Sequence, residues 1–307
     1  MHAAMADDFL WQLAGVSLEP SRLHDVTLVI PRGVTAVLGW SGAGKSSLLN
    51  LLAGFERPDR GSLAGQPRCA WVPQDGGLWP QCTVREHLEI ARHSSDGIGA
   101  LLLRFDLLDK TDARPGSLSQ GEQSRLAVAR ALAADAAVLV MDEPLVHVDP
   151  ARRGKYWSVV REHLTRTGAS LIFATHEPEA VLGEALRVIC LREGRVLHEG
   201  AVAELYAHPP NAELMSFLGP GNWIEPDEAR AWLGVEIAAA RCLRPEQIEI
   251  EPAEGGDFIV SSATFRGPLE VVELQNAPNG ARQRLLFHRP AAAALGPNMR
   301  VAIRLRR

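Results

Sequence analysis

The feature that most constrains this 307-residue chain is a glycine-rich segment between an apolar run and a helical run. The segment Gly39-Trp40-Ser41-Gly42-Ala43-Gly44-Lys45-Ser46 fits the phosphate-binding pattern G-x-x-x-x-G-K-[ST] at every fixed position. The apolar, β-branched run Val34–Leu38 before it is typical of a buried parallel strand. Residues 46–53 after it have a helical pattern, and Gly54 is placed to end that helix. This order predicts an α/β core that binds phosphate groups.

The residue types of the loop account for the chemistry. Gly39, Gly42 and Gly44 let the backbone curl so that its N–H groups point inward at the start of a helix. Lys45 offers a point charge to the β- and γ-phosphates, and Ser46 offers a hydroxyl to Mg²⁺. A chance match in a glycine-rich turn is the alternative, which the flanking strand and helix disfavour. Nucleotide binding is therefore expected, although kinases, GTPases, helicases and transporters all share such a loop.

Charge and composition argue against several functions. The formal net charge of −5 gives no electrostatic reason to expect nucleic acid as a partner. No apolar run approaches the roughly 20 residues that span a bilayer, and residues 1–10 lack the pattern of a signal peptide. The cysteines lack metal-binding spacing, so we expect reduced thiols at Cys69, Cys82, Cys190 and Cys242. Any membrane role should therefore come through a partner chain.

The chain length suggests two domains, and the pattern of elements places them. Strands are predicted at residues 10–16, 25–30, 69–73, 137–141 and 170–174, with a hairpin over 188–198. Helices are predicted at residues 84–92, behind a capping box at Thr83 and Glu86, and at 98–108, 122–134 and 151–165. We predict a parallel α/β core over residues 1–218, interrupted by a helical subdomain over about residues 75–135.

Residues 219–307 have a different sequence pattern, in which short strands are separated by turns. Short strands are predicted at residues 247–250, 257–262, 269–275, 283–288 and 299–305. Asn279-Gly280 is a favourable hairpin turn. A small all-β domain, either a barrel or a sandwich, is therefore the expected fold of this region.

Two acidic residues follow the apolar run at 137–141. In enzymes with a phosphate loop, an acid at this place lies beside Mg²⁺, which is the role predicted for Asp142. Glu143, one residue later, suits a base that orients or deprotonates the attacking water. Two solvated acids at a strand end are the alternative, and the phosphate loop in the same chain disfavours it.

The segment Leu118-Ser119-Gln120-Gly121-Glu122 precedes a strongly helical stretch. Ser119 and Glu122 have the spacing of a capping box, so one interpretation is simply a well-capped helix. The other interpretation uses the same physics, because the exposed N–H groups and the dipole of a helix start can bind a γ-phosphate.

Taken in order, these motifs resemble the nucleotide-binding subunit of ABC transporters. The resemblance covers about residues 10–218 and includes the phosphate loop, Gln74, the segments 118–122 and 139–143, Asp149 and His176. It implies that two copies of the chain sandwich two ATP molecules with Mg²⁺. It also implies that Gln74 senses Mg²⁺ and the γ-phosphate and links to the membrane subunit, and that His176 is the switch histidine at the γ-phosphate.

The resemblance assigns residues to three sets. The catalytic set is Glu143, His176 and Gln74, and the metal set is Ser46, Gln74 and Asp142. The chain's own ATP is expected to contact Gly39, Trp40, Ser41, Gly42, Ala43, Gly44, Lys45, Ser46 and Ser47. Ser119, Gly121 and Glu122 are expected to serve the ATP of the opposite subunit, and Asp149 lies in the loop that joins the two sites.

Three features depart from the pattern of that family. No aromatic residue lies between Trp11 and Trp40, so no residue is identified that stacks on adenine. Gln120 and Glu122 stand where Gly and Gln are commoner, which places a carboxylate near the partner's phosphate unless it points back into its own helix cap. Residues 145–148 lack the usual small hydroxyl residue, with Val146 among them.

The C-terminal region indicates which subgroup of ABC transporter ATPases the chain resembles. A resemblance to the oligonucleotide-binding-like regulatory domain (TOBE) of importer ATPases is carried by Leu243-Arg244-Pro245-Glu246 and Phe265-Arg266-Gly267. Residues 74–84 are similar to the group of importers for ferric ion, polyamines, sulfate or molybdate, and sugars. This resemblance implies a peripheral subunit at the cytoplasmic face of the inner membrane. Its partners would be an integral-membrane permease and a periplasmic or lipoprotein solute-binding protein.

Two alternatives remain open from the sequence. They are a soluble ABC ATPase without a transport role and the ATPase of an exporter. The sequence does not decide whether the substrate is ferric ion, an oxyanion or a polyamine, because specificity in such systems resides in the binding protein and the permease.

Overall fold

The structure, a computed structural model, describes residues 9–20, 22–92, 97–276, 280–288 and 295–306. Contacts between Cα atoms divide the chain into two compact units, Met1–Val202 and Ala203–Arg307. The predicted boundary at residue 218 lies inside the second unit. The division into functional domains at that residue stays a prediction.

The first unit combines two sheets with helices. Its strands are β1 Phe9–Leu18, β2 Leu23–Pro31, β3 Val34–Leu38, β4 Arg60–Ala64, β5 Cys69–Val72, β6 Val138–Asp142, β7 Ser170–Thr175, β8 Arg187–Arg192 and β9 Arg195–Ala201. Its α-helices are α1 Lys45–Leu52, α2 Val84–Arg92, α3 Ile98–Arg104, α4 Gln120–Ala133, α5 Pro150–Thr167 and α6 Pro178–Glu184. Short 3₁₀ turns occupy Leu108–Lys110 and Pro115–Ser117.

The larger sheet has the strand order β5-β6-β7-β3-β8-β9. The pairs from β5 to β8 are parallel, and β9 pairs antiparallel at the edge. All residues of β6 and β7 are buried, which explains why these sequences are continuously apolar instead of alternating. The parallel α/β core predicted from the sequence is confirmed.

The smaller sheet contains a strand that the sequence analysis missed. It has the order β2-β1-β4, and no strand was predicted where β4 lies, because residues 56–67 are rich in turn-forming types. The strand is largely exposed, so it lacks an apolar alternation that would indicate it. Gly61 further weakens the signal, yet the fold needs a glycine there, because a Cβ would lie 2.4 Å from the carbonyl oxygen of Gly15.

Helices α2, α3 and α4 occupy the chain between β5 and β6. The capping box before α2 is present, since Thr83 N–H donates to Glu86 Oε2 (2.6 Å) and Glu86 N–H donates to Thr83 Oγ1 (3.2 Å). Helix α3 ends at Arg104, earlier than the predicted residue 108. The physical reason is Asp106, whose φ of 52° lies outside the helical region.

The second unit begins with helices and continues as β-structure. Its elements are α7 Val202–Ala207, α8 Ala212–Phe217, β10 Asn222–Ile224, β11 Arg241–Leu243, β12 Ile248–Pro252, β13 Phe258–Arg266, β14 Leu269–Asn276, β15 Arg282–His288 and β16 Arg300–Leu305, with short helical turns at Pro226–Glu228, Ala229–Leu233 and Pro245–Gln247. The antiparallel sheet has the order β12-β16-β13-β14-β15, and strands β12 and β15 also contact each other, so the sheet curls. The predicted all-β C-terminal region is confirmed; its proposed turn residue Asn279 lies outside the described residues.

Arg244 explains why residues 203–218 group with these strands. Arg244 is 2% exposed, and its guanidinium donates to the carbonyl oxygens of Tyr206 (2.9 Å), Gly219 (3.1 Å) and Pro220 (3.1 Å). The guanidinium of this buried residue therefore joins helix α7 and the residues after α8 to the segment that follows β11. Within the described ranges, none of the helices combines the length and apolar character needed to cross a membrane.

Two adjacent leucines of α3 provide a test of the packing in the first unit. Leu102 is 0% exposed and Leu103 is 60% exposed. We expect Leu102→Ala to lower the free energy of unfolding by about 2–5 kcal/mol, because it leaves a cavity, and Leu103→Ala to change it by less than about 0.5 kcal/mol. Denaturant unfolding followed by circular dichroism measures both. Equal effects of the two substitutions would contradict the packing described here.

Candidate active site

The carboxyl ends of β3, β6 and β7 and the loop after β5 surround a cavity of about 550 Å³. Its lining residues are Trp40, Ser41, Gly42, Lys45, Ser46, Gln74, Asp142, Glu143, Val146, His147 and His176. The fold therefore brings together the predicted catalytic and metal-side residues and part of the phosphate loop, although they are spread over more than a hundred positions of the chain. Parallel pairing is the cause, because neighbouring strands end at the same edge of the sheet.

The phosphate loop has the geometry of an anion site. Gly42 and Gly44 have φ values of 78° and 101°, which L-residues with a side chain rarely adopt. A Cβ at Gly39 would lie 2.4 Å from the carbonyl oxygen of Leu191, so that position also requires glycine. Helix α1 starts at Lys45 without a side-chain cap, which leaves its first N–H groups for a ligand.

Lys45 is held inside the curve of this loop. Its Nζ donates to the carbonyl oxygens of Gly39 (2.8 Å) and Trp40 (3.2 Å), and the residue is 9% exposed. The ammonium therefore faces the same space as the helix start. A second cavity of about 280 Å³ is lined by Arg22 and residues 42–47, which include the predicted Ala43, Gly44 and Ser47.

Asp142 is a buried carboxylate beside a hydroxyl. It is 4% exposed, and burial raises the pKa of its carboxyl group, while a hydrogen bond from Ser46 acts in the opposite direction. Such an oxygen pair fits Mg²⁺, which takes few protein ligands and completes its shell with phosphate and water. Across the described ranges, no group of three or more His, Cys, Asp or Glu residues forms a metal site of its own.

Glu143 and His176 form a pair at the edge of the cavity. The His176 Nδ1 atom lies 2.9 Å from Glu143 Oε1 and 2.8 Å from Oε2. Glu143 has a φ of 51°, and its N–H donates to the carbonyl oxygen of Ala174 (3.0 Å), so β7 supports this unusual conformation. Non-glycine residues held at positive φ are concentrated at functional sites. The pair can accept a proton on the carboxylate while the imidazole stays oriented.

The start of α4 lies outside this cavity, and one of its N–H groups is capped by a side chain. Glu122 N–H donates to Ser119 Oγ (3.3 Å), and Glu122 Oε2 accepts from Ser119 N–H (2.8 Å). These bonds to Ser119 hold the pKa of Glu122 below its usual value. The capping box predicted here is present, and the carboxylate points back into the cap. Gly121 packs closely, since a Cβ there would lie 3.0 Å from the carbonyl oxygen of His147.

Asp149 also has a local structural contact. It precedes α5, and its Oδ1 accepts a hydrogen bond from Ala151 N–H (2.9 Å). Ser119, Gly121, Glu122 and Asp149 are thus among the predicted residues that do not line the main cavity.

The structure adds residues that the sequence analysis did not place at the site. Trp11 is fully buried, so it cannot stack on a base, whereas Trp40 is 59% exposed at the cavity. Arg22, Val146 and His147 line the two cavities. For Val146 and His147 the signal was their closeness to Glu143 in the sequence. The turn after β1, which carries Arg22, reaches the phosphate loop only through the fold.

Comparison with known proteins agrees with this geometry. The family model described as ABC transporter matches residues 23–146. The Fe(3+) ions import ATP-binding protein FbpC 1 of Rhodococcus jostii (strain RHA1) is 33% identical, over 92% of this chain and 92% of that protein. FbpC of Serratia marcescens is 32% identical, over 85% and 86% of the two chains. The molybdenum import ATP-binding protein ModC of Paramagnetospirillum magneticum (strain ATCC 700264 / AMB-1) is 31% identical, over 91% and 77%.

Solved structures show the same fold. An ATP-binding subunit of an ABC transporter superposes with a TM-score of 0.58 at 23% identity, over 64% of this chain and 92% of that one. The dimeric bacterial ABC transporter cassette MJ0796 gives a TM-score of 0.57 at 22% identity, over 62% and 98%. With relatives this similar along nearly all of its length, the chain belongs to the ABC transporter family, as one of the ATP-hydrolysing subunits of the importer type.

Proposed function

We propose that this chain energises a bacterial ABC importer by binding and hydrolysing ATP between two copies of itself. The observation that carries the proposal is the Glu143–His176 pair, which lies in one cavity with Lys45, Ser46 and Asp142. This set combines a phosphate site, a metal-side carboxylate and a proton acceptor. It matches the requirements of phosphoryl transfer to water.

The residues of the main cavity would bind different parts of the nucleotide and its metal ion. Lys45 and the N–H groups at the start of α1 would bind the β- and γ-phosphates. Ser46 and Asp142 would hold Mg²⁺, with Gln74 on the wall of the same cavity. When bound, Mg²⁺ neutralises charge on the phosphate oxygens.

Glu143 is the proposed base of the reaction. Its carboxylate would take a proton from the water whose oxygen attacks the γ-phosphorus, while the bond from that phosphorus to the leaving oxygen of ADP breaks. His176 would orient the carboxylate through Nδ1 and leave Nε2 for the γ-phosphate. Glu143 is thus a catalytic residue, and its position at positive φ is supported by β7.

The second copy is proposed to complete each site. Ser119 and Gly121 lie at the start of α4, outside the cavity of their own chain, and Glu122 there is engaged by its own helix cap. A helix start of this kind suits the phosphates of ATP held by a partner subunit. Asp149, next to the loop that carries Val146 and His147, would connect the two sites.

The remaining parts of the proposal concern the assembly. The curated relatives are named for import of Fe(3+) ions or molybdenum, so the substrate classes predicted above remain ferric ion, an oxyanion or a polyamine. The partners would be integral-membrane permease subunits and a periplasmic or lipoprotein solute-binding protein, with this chain peripheral at the cytoplasmic face of the inner membrane. Residues 219–307 would act as the TOBE-like regulatory domain.

The role of Glu143 is tested by Glu143→Gln. We expect ATP turnover to fall by about 10²–10⁴-fold, because the proton acceptor is lost, while ATP binding is retained. Phosphate release and nucleotide binding by fluorescence measure the two effects. Glu193→Gln is a matched control, since Glu193 also has a positive φ (49°) but lies in the turn between β8 and β9. Unchanged turnover in Glu143→Gln would refute the assignment.

The burial of Asp142 predicts opposite effects on stability and on metal binding. Because burial raises the pKa of this carboxyl in the folded state, its ionisation lowers stability as the pH rises from the unfolded-state pKa through the folded-state pKa. Asp142→Asn should therefore raise the unfolding temperature of the nucleotide-free protein at neutral pH and abolish stabilisation by Mg²⁺ and ATP. Thermal unfolding with and without both ligands measures this. A lower unfolding temperature without ligands would contradict the electrostatic argument.

The shared sites are tested by mixing two inactive variants. Lys45→Ala removes the phosphate-loop charge, and Ser119→Arg blocks the helix start offered to the partner. In a mixed dimer both lesions fall in one site and the other site is intact. An equimolar mixture should therefore recover about a quarter of wild-type turnover if the dimers exchange freely and each site acts independently. A mixture no more active than its components would overturn the composite site.

A further inference from the structure

The loop after β5 carries Gln74 to the wall of the nucleotide cavity. It is a turn of its own, in which Gly76 N–H donates to the carbonyl oxygen of Pro73 (2.8 Å) and Gly77 N–H donates to Asp75 Oδ1 (3.0 Å). Gly76 and Gly77 both have positive φ, at 78° and 55°. Beyond Val72 the chain leaves the sheet, so other contacts must set the position of this turn.

Arg130 of α4 holds the turn from one side. Its Nη1 donates to the carbonyl oxygen of Gly77 (2.5 Å) and its Nη2 to that of Gly76 (3.0 Å). The same guanidinium lies over the indole of Trp79, with Cζ 5.0 Å from the ring centroid. Arg130 is 8% exposed. The planar fork of arginine fits two successive carbonyls in a way that lysine cannot reproduce.

His87 of α2 holds the same loop from the other side. Its ring stacks on Trp79 with centroids 5.2 Å apart and planes inclined by 21°. Trp79 N–H donates to His87 Nε2 (2.9 Å), so the ring proton must be on Nδ1, which lies 2.7 Å from the carbonyl oxygen of Thr83. The residue is 0% exposed, and both nitrogens are engaged. His87 is therefore a neutral structural histidine and is not available as a ligand or base.

Helix α4 connects this attachment to the proposed partner site. Ser119 caps its start, and Arg130 lies eleven residues later, which corresponds to about 16 Å along a helix. Near the start of α4 the loop is separated from the helix by a cavity of about 190 Å³, lined by Gln74, Gln120 and Gln123 among others. The loop is thus fastened to the far part of α4 and is open to movement near Ser119.

We infer that Trp79, His87 and Arg130 form a clamp that makes the loop of Gln74 move with α2 and α4. Through this clamp, the position of Gln74 in one nucleotide site follows the position of the helix whose start serves the other site. His87 and Arg130 are positioning residues and act through Gln74. The inference rests on the proposed function, because it gives that function a route between the two sites.

A double-mutant cycle tests the clamp in the full-length protein. We expect Arg130→Gln to lower ATP turnover about tenfold, with the affinity for ATP changed by less than about twofold, because Gln74 is displaced but the phosphate loop is not. In a Gln74→Ala background the same substitution should cause no further loss. Residues that act through a shared partner are non-additive in this way.

Arg125→Gln is the matched control. Arg125 lies on the same helix, is 7% exposed and also donates to backbone carbonyls, those of Phe105 (2.5 Å) and Asp106 (2.9 Å). Its bonds do not involve the Gln74 loop, so any loss it causes should be the same with Gln74 or Ala at position 74. Equal, additive losses for Arg130→Gln would overturn the clamp.

Hydrogen exchange gives a readout that does not depend on activity. The amides of residues 76–79 should exchange faster in Arg130→Gln and His87→Ala than in the wild type or Arg125→Gln. His87→Gln should restore protection, since its side-chain oxygen can accept the Trp79 N–H. Should Arg130→Gln fail to fold, Trp79→Ala removes both ring contacts and enters the same cycle.

The outcomes separate this inference from the proposed function. Unchanged exchange at residues 76–79 in Arg130→Gln overturns the clamp. Full turnover in Gln74→Ala also overturns it, because the clamp would then have no catalytic residue to position. Neither result affects the role of Glu143, which Glu143→Gln tests alone.

Discussion

Parallel pairing of the buried strands β3, β6 and β7 brings the polar residues of the site to one edge of the sheet. In this pairing Leu38 is opposite Thr175, and Asp142 is opposite Ala174. The residues that follow these ends are the phosphate loop, Glu143 and His176. Because both faces of these strands are buried, a shift of register would displace every one of them, so the apolar core sets the geometry of a polar site.

Several backbone conformations and charges in the main cavity reduce the stability of the folded state. Burial raises the pKa of Asp142, and Glu143 has a backbone conformation that side chains rarely adopt. Glycines with positive φ curl the loop around Lys45. A preorganised site of this kind favours a charged ligand over the ligand-free state, and the surrounding apolar core must supply the stability that the site lacks.

Polar side chains set the position of the helices between β5 and β6 at identifiable points. Asp106 accepts from Lys155 (2.6 Å), Arg152 (2.8 Å) and Tyr156 (2.8 Å) of α5, and the contact with Lys155 contributes most to holding its pKa below the usual value. Arg125 and Arg130, both on α4, bond backbone carbonyls of two different loops. Helix α4 thus contacts both the connection after α3 and the loop of Gln74, and the inferred clamp is built on the second of these contacts.

Local spacing and continuous apolar runs in the amino-acid sequence were enough to predict the α/β core, the all-β C-terminal region, the phosphate loop and the acids at the end of β6. It also indicated the capping box of Ser119 and Glu122, although only the structure decided that the carboxylate points inward. The pairing of β4 and the end of α3 became visible only in the folded structure. The same is true of the position of Arg22 beside the phosphate loop and of the contacts of Arg130 with Gly76 and Gly77. Those last contacts join residues more than fifty positions apart, and such pairs have no periodic signal in a single sequence because only the packing of separate elements brings them together.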